Sequence, residues 1–123
     1  TWHNGCVSAE VSDWGSTVVG IGSAYSTVNS GSSCSGSVSQ QSAWLKAQGA
    51  ICRGGAWCNT STGTNAIPTS QHWQVASCSD PAGTQSFYSF GWGWVYKGAL
   101  CGAGECNDSY KFYTSVQSPT INA

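Results

Sequence analysis

Residue types able to do acid–base, nucleophilic or metal chemistry are few in this chain and poorly grouped. His3 and His72 are the only histidines, and the carboxylates are Glu10, Asp13, Asp80, Glu105 and Asp108. Glycoside hydrolysis needs two carboxyl groups facing one another across a cleft. Glu10 with Asp13, and Glu105 with Asp108, are close in sequence, but nothing around them predicts a cleft. No G-x-S-x-G elbow or H-E-x-x-H helix occurs. Gly20-Ile21-Gly22 lacks the third glycine of a dinucleotide fingerprint, because Tyr25 stands there. Asn107-Asp108 supplies too few oxygens for a calcium loop. His72, between Gln71 and Trp73, reads as a structural or surface imidazole, and Asp80 before Pro81 as a turn residue. The chain is therefore expected to carry no catalytic residue, no metal and no cofactor.

The cysteines carry different information. There are seven: Cys6, Cys34, Cys52, Cys58, Cys78, Cys101 and Cys106. No C-x-x-C occurs, which argues against a zinc ribbon or a thioredoxin-type motif. So many cysteines in a short chain predict an oxidising compartment and up to three bridges with one thiol left over. Cys101 with Cys106 and Cys52 with Cys58 are spaced for local bridges, each stabilising by about 2 kcal/mol. The partners of Cys6, Cys34 and Cys78 stay open. Thr1 at the start, with no basic-then-apolar leader, is what a secreted protein with its signal peptide removed would show. No apolar run approaches the ~18 residues that would cross a membrane as a helix, so the chain is read as not membrane-spanning.

Aromatic side chains dominate what remains. From Tyr88 onward every second residue is aromatic: Tyr88, Phe90, Trp92, Trp94 and Tyr96. Alternation places all five on one side of a strand about 26 Å long, with Phe87, Ser89, Gly91, Gly93 and Val95 behind. Together they bury about 750–1,250 Å². A monomer seldom exposes more than a few hundred Å² of contiguous apolar surface. The stripe is therefore expected to pack into the core, with the glycines behind it admitting another sheet or a Trp. Only the end at Trp92, Trp94 and Tyr96 is expected to stay open as a patch for a sugar or a protein. Trp57 is expected to be exposed, while Trp2, Trp14, Trp44 and Trp73 are open to either reading.

The elements that hold these residues read as short strands. Asn4-Gly5 predicts a two-residue hairpin. Residues 16–28 read as one or two strands with Val19, Ile21 and Tyr25 on a shared face, and 29–37 as a Ser/Gly loop. Residues 41–49 fit a short helix or a strand equally. Residues 54–69 read as a long polar surface loop ending at Pro68, and 71–77 as a strand before the turn Asp80-Pro81-Ala82-Gly83. The aromatic strand and residues 109–116 predict an antiparallel hairpin. The fold class is all-β: a disulfide-stabilised antiparallel β-sandwich or small barrel with at most one short helix, a single secreted domain over residues 1–123. Asn59-Thr60-Ser61 and Asn107-Asp108-Ser109 match the N-glycosylation acceptor pattern. Four Lys/Arg against five Asp/Glu leave a net charge of −1, with 7% of residues charged. An average soluble protein has about 25%. Without a basic footprint, nucleic acid is a poor partner.

Four landmarks resemble the lactococcin 972 family of small secreted bacterial proteins. Thr1-Trp2-His3-Asn4-Gly5 is similar to that family's opening Thr-Trp-x-x-Gly, and Ser23-Ala24-Tyr25-Ser26 to its Ser-x-Tyr-Ser. Trp44-Leu45-Lys46-Ala47 is similar to its Trp-Ala-Lys-Ala, and Ser86-Phe87-Tyr88-Ser89-Phe90 to its aromatic C-terminal strand. The order is the same, over about a fifth of the chain. The resemblance implies a β-sandwich exported by a Gram-positive bacterium and acting without catalysis. Members are bacteriocins that bind the lipid-linked precursor of the cell wall. Related small β proteins of actinobacteria are subunits of larger secreted antibacterial particles. The seven cysteines, the greater length and the segment after Tyr96 depart from the pattern. The expected function is bacterial antagonism by binding a secreted protein partner or a cell-envelope component. The alternatives are a carbohydrate-binding module using Trp and Tyr platforms and, third, a small secreted hydrolase, which would require a paired acid and base.

Overall fold

Chain segments rich in Val, Ile, Thr and aromatic residues, punctuated by Gly turns, build an all-β structure of two antiparallel sheets. The computed structural model describes residues 4–27, 36–96 and 110–123. The first sheet has the order β1-β2-β5, from β1 (Asn4–Asp13), β2 (Thr17–Thr27) and β5 (Gln71–Ser79). The second has the order β4-β3-β6-β7, from β3 (Leu45–Arg53), β4 (Ala56–Thr64), β6 (Ser86–Tyr96) and β7 (Tyr110–Gln117). The two-residue strand β8 (Ile121–Asn122) pairs with the start of β6. The sheets face one another as a β-sandwich, and no helix occurs among the described residues.

Two sequence expectations about elements change here, and one open choice is decided. Asn4 and Gly5 lie inside β1, paired with Thr27 and Ser26, and do not turn the chain. The turn falls at Gly15-Ser16, where the Trp14 amide donates to the Thr17 carbonyl at 2.9 Å. Residues 41–44 form a turn and Leu45 opens a strand, so the helical option for 41–49 drops out. The segment read as a loop over 54–69 contains β4, an exposed edge strand. Its Thr residues are β-branched and suit a strand. Its polarity reflects solvent on the outer side, not irregular backbone. Gly54 and Gly55, at φ +59° and +84°, form the two-residue turn between β3 and β4, a conformation that favours glycine at both central positions.

The core is narrow in the middle. Val18, Ile51, Ala76, Cys78 and Phe87 cluster toward one end, and Ala24, Leu45 and Ala47 toward the other. Between the clusters the sheets meet backbone to backbone. A Cβ at Gly91 would collide with the Ser8 carbonyl, and one at Gly22 with the Gln48 carbonyl and, at 2.9 Å, with Gly49 Cα. Only residues without a side chain fit along this seam. Ser89, fully buried beside it, donates from Oγ to the Glu10 carbonyl at 2.8 Å and so joins the sheets.

A disulfide joins Cys58 on β4 to Cys78 on β5, with 20 residues of separation, and clips the two sheets along one edge. The local Cys52–Cys58 bridge expected from spacing is thus replaced. Across the β3–β4 ladder Cys52 stands opposite Trp57, not Cys58, and is buried as a free thiol. Cys6 is also disulfide-bonded. Cys34, Cys101 and Cys106, with their expected bridges, lie outside the described residues, as do residues 29–35 of the expected Ser/Gly loop, Trp2, His3, Glu105 and the sequon at Asn107.

Candidate functional site: an aromatic sheet face

The aromatic stripe is on the outside. In β6, Phe87, Ser89, Gly91, Gly93 and Val95 are buried, whereas Tyr88, Phe90, Trp92 and Trp94 are partly exposed on the opposite face. This reverses the expectation that the aromatic face packs into the core. The glycines do admit another sheet, and that sheet closes so tightly that rings would not fit between them. The outward stripe also runs the length of β6 to Trp94, so the opening is not confined to the Trp92–Tyr96 end; the Tyr96 side chain lies outside the described residues.

Neighbouring strands complete the face. Antiparallel partners share a side of the sheet. Lys46 therefore stands beside Trp94, Gln48 beside Trp92, Ala50 beside Phe90 and Cys52 beside Tyr88. On the far side of β3, Trp57 of β4 faces outward with 60% of its surface exposed. A register shift between Ile51 and Cys52 places it there. The Trp57 ring stacks on Trp92 at 5.9 Å and 24° and leans on Phe90 at 5.4 Å and 32°. Phe90 meets Trp92 at 5.7 Å, and Tyr88 edge-on at 5.7 Å and 79°. The Lys46 ammonium sits 5.0 Å from the centre of the Trp94 ring. Four rings in mutual contact form one platform, with a cation over the fifth aromatic at its end.

Cys52 lies within this face. Burial pushes its thiol above the ordinary value of 9.0, opposed by a hydrogen bond with Tyr88. The charge Cys52 would carry on ionising, then burial and the shared hydrogen bond, push the Tyr88 phenol above its ordinary 10.0. Both groups therefore resist ionisation as pH rises.

The residues considered for chemistry are dispersed. His72 Nε2 pairs with Gln74 Oε1 at 2.7 Å, in a short chain that continues from Gln74 to Ser61 Oγ at 2.9 Å. Asp13 Oδ1 accepts from the Gly15 amide at 2.9 Å in the β1–β2 turn. Asp80 follows β5, its amide donating to the Ser16 carbonyl at 3.0 Å. Glu10 projects from the outer face of the first sheet. No group of three His, Cys, Asp or Glu residues that could hold a metal occurs among the described residues. No described helix is long and apolar enough to cross a membrane.

One structural hub left no signal in the sequence. Asn65 is buried, accepts from the Leu45 amide at 2.9 Å, and donates to the carbonyls of Gln41 and Ile67, each at 2.8 Å. It fixes the turn that launches β3. Compared with protein-family models, curated proteins and solved structures, the chain gives no match.

Proposed function

We propose that this chain is a secreted, non-enzymatic binding protein of bacterial antagonism, engaging a protein or cell-envelope partner through the aromatic face of the β4-β3-β6-β7 sheet. The observation that carries the reading is the Trp57–Phe90–Trp92 stack with Tyr88 at its edge, standing on the solvent side of a sheet whose other side already supplies the core. Rings placed where folding does not need them are the usual anchors of a binding surface. The four lactococcin 972-like landmarks support an envelope target on a Gram-positive cell.

The test is capture of secreted proteins and of Gram-positive cell-wall material by the intact protein, compared with Trp57→Ala and Trp92→Ala. Each variant should bind at least about tenfold more weakly. Each should lose about 2 kcal/mol of stability, the scale of the two ring pairs that each indole makes. Phe87→Ala, in the core, should cost about 3–5 kcal/mol and serves as the folding control. Undiminished capture by both Trp variants, or no capture by the parent protein, would sink the reading.

A further inference from the structure

The opposite face of the sandwich carries a second candidate site. On the outer side of the β1-β2-β5 sheet Trp73 is 57% exposed. Two depressions flank it. One, of about 290 Å³, is lined by Ser8, Glu10 and Tyr25 among others. The other, of about 210 Å³, is lined by Asn65, Thr69 and His72 among others. Gln71 and Trp73 line both, so the two depressions adjoin at these residues and together make a trough beside the indole.

Strand register explains the arrangement. Across the β2–β5 ladder Trp73 pairs with Ser23 and Gln71 with Tyr25, while Glu10 of β1 pairs with Ile21 of β2. Those partners share the outward side, which puts a carboxylate, an amide and hydroxyls around one exposed ring. Ser8 Oγ and the Tyr25 hydroxyl are 3.4 Å apart, holding the phenol in the trough floor. The second half is built on the loop that Asn65 braces from within, so its wall is anchored to β3.

We infer that this trough binds an uncharged saccharide chain, with one ring stacked on Trp73 and neighbouring units in the two depressions. A sugar ring offers an apolar C–H face to the indole and a rim of hydroxyls to Glu10, Gln71 and Tyr25. No Lys or Arg lines either depression, so a phosphate or other polyanion finds no partner charge there. A peptide anchored by apolar side chains would need deeper apolar pockets than Ile21 and Ile67 provide, since they stand in different depressions. Two adjoining halves suit a repeating ligand better than a single small molecule. This site is separate from the aromatic face of the other sheet.

Tryptophan fluorescence and calorimetry of the intact protein should be run against soluble tetra- to hexasaccharides of the cello-, xylo-, manno- and chito- series. At least one series should bind, and its longer members should bind more tightly than the disaccharide. Trp73→Ala should weaken that binding at least about tenfold, Trp73→Phe should restore part of it, and Glu10→Gln should weaken it several-fold. Trp92→Ala should leave it unchanged. Trp73 is exposed, so its variants should keep the parent melting temperature. The inference fails if no series binds, if binding survives Trp73→Ala, or if it is lost with Trp92→Ala. It also fails if a proline-rich or aromatic peptide panel binds in a Trp73-dependent way and the sugars do not.

Discussion

A single thiol shows how position overrides residue type. Cys52 is one of seven cysteines, and its spacing to Cys58 suits a local bridge, yet strand pairing turns the two apart. Left free and buried beside Tyr88, it makes folding stability depend on alkaline pH. Both groups have folded values raised above the unfolded ones, 9.0 for the thiol and 10.0 for the phenol. As pH rises from each group's unfolded value toward its raised folded one, the unfolded chain releases protons that the folded chain keeps, so stability falls. Denaturant midpoints should be level up to about pH 8 and decline from about pH 9 upward. Cys52→Ser should flatten the thiol's share of that decline; an unchanged alkaline limb would show that Cys52 does not contribute. The same burial should make the native thiol slow to alkylate until the protein is unfolded.

Among the elements, β4 shows most about what holds the sandwich closed. It is an exposed, Thr-rich edge strand joined to β3 by Gly54-Gly55, and its only covalent tie to the first sheet within the described residues is Cys58–Cys78. Weaker polar links run beside that bridge. Asn59 Nδ2 donates to the Ser77 carbonyl at 3.0 Å, and Arg53 Nη1 to the Ser79 carbonyl at 2.9 Å. Replacing both cysteines, Cys58→Ser with Cys78→Ser, should lower unfolding free energy by about 3 kcal/mol, the loop-entropy scale for this separation. Hydrogen exchange in β4 should quicken more than in β3, because β3 is hydrogen-bonded on both sides. Equal acceleration in the two strands would mean that the bridge stabilises the sandwich as a whole, not its edge.

Taken whole, the molecule presents two dissimilar outer faces on a nearly uncharged body. One is a platform of stacked rings, the other a polar trough around Trp73. With four Lys/Arg and five Asp/Glu in 123 residues, long-range electrostatics contribute little to either. Binding at each face should therefore change less than about twofold between 50 and 500 mM NaCl. A steep salt dependence at the aromatic face would point instead to a polyanionic partner held through Lys46.

Several features of the fold follow from local chemistry and are legible in the chain. Residues 71–77 and the hairpin formed by β6 and β7 alternate in hydrophobicity as strands do, and Val19, Ile21 and Tyr25 do share a face of β2. Alternation also determines that Tyr88, Phe90, Trp92 and Trp94 lie on one side of one strand, since side chains in extended backbone have a period of two. What alternation does not carry is which side faces in. The area of the rings argued for the inside, and it was outweighed by a fact of packing between segments far apart in sequence. Gly22, Gly49 and Gly91 bring the two sheets into backbone contact, and no aromatic ring fits in a gap that a single Cβ would overfill. Cys58 with Cys78 and Trp57 with Trp92 are likewise contacts between strands, and the Trp73 trough joins strands to the loop before β5. The period of two along each strand is written in the residues, whereas the Asn4-Gly5 turn signal and the polar run of β4 misled until strand pairing placed them; the facing of the sheets, and with it every candidate binding surface, comes from contacts between distant strands.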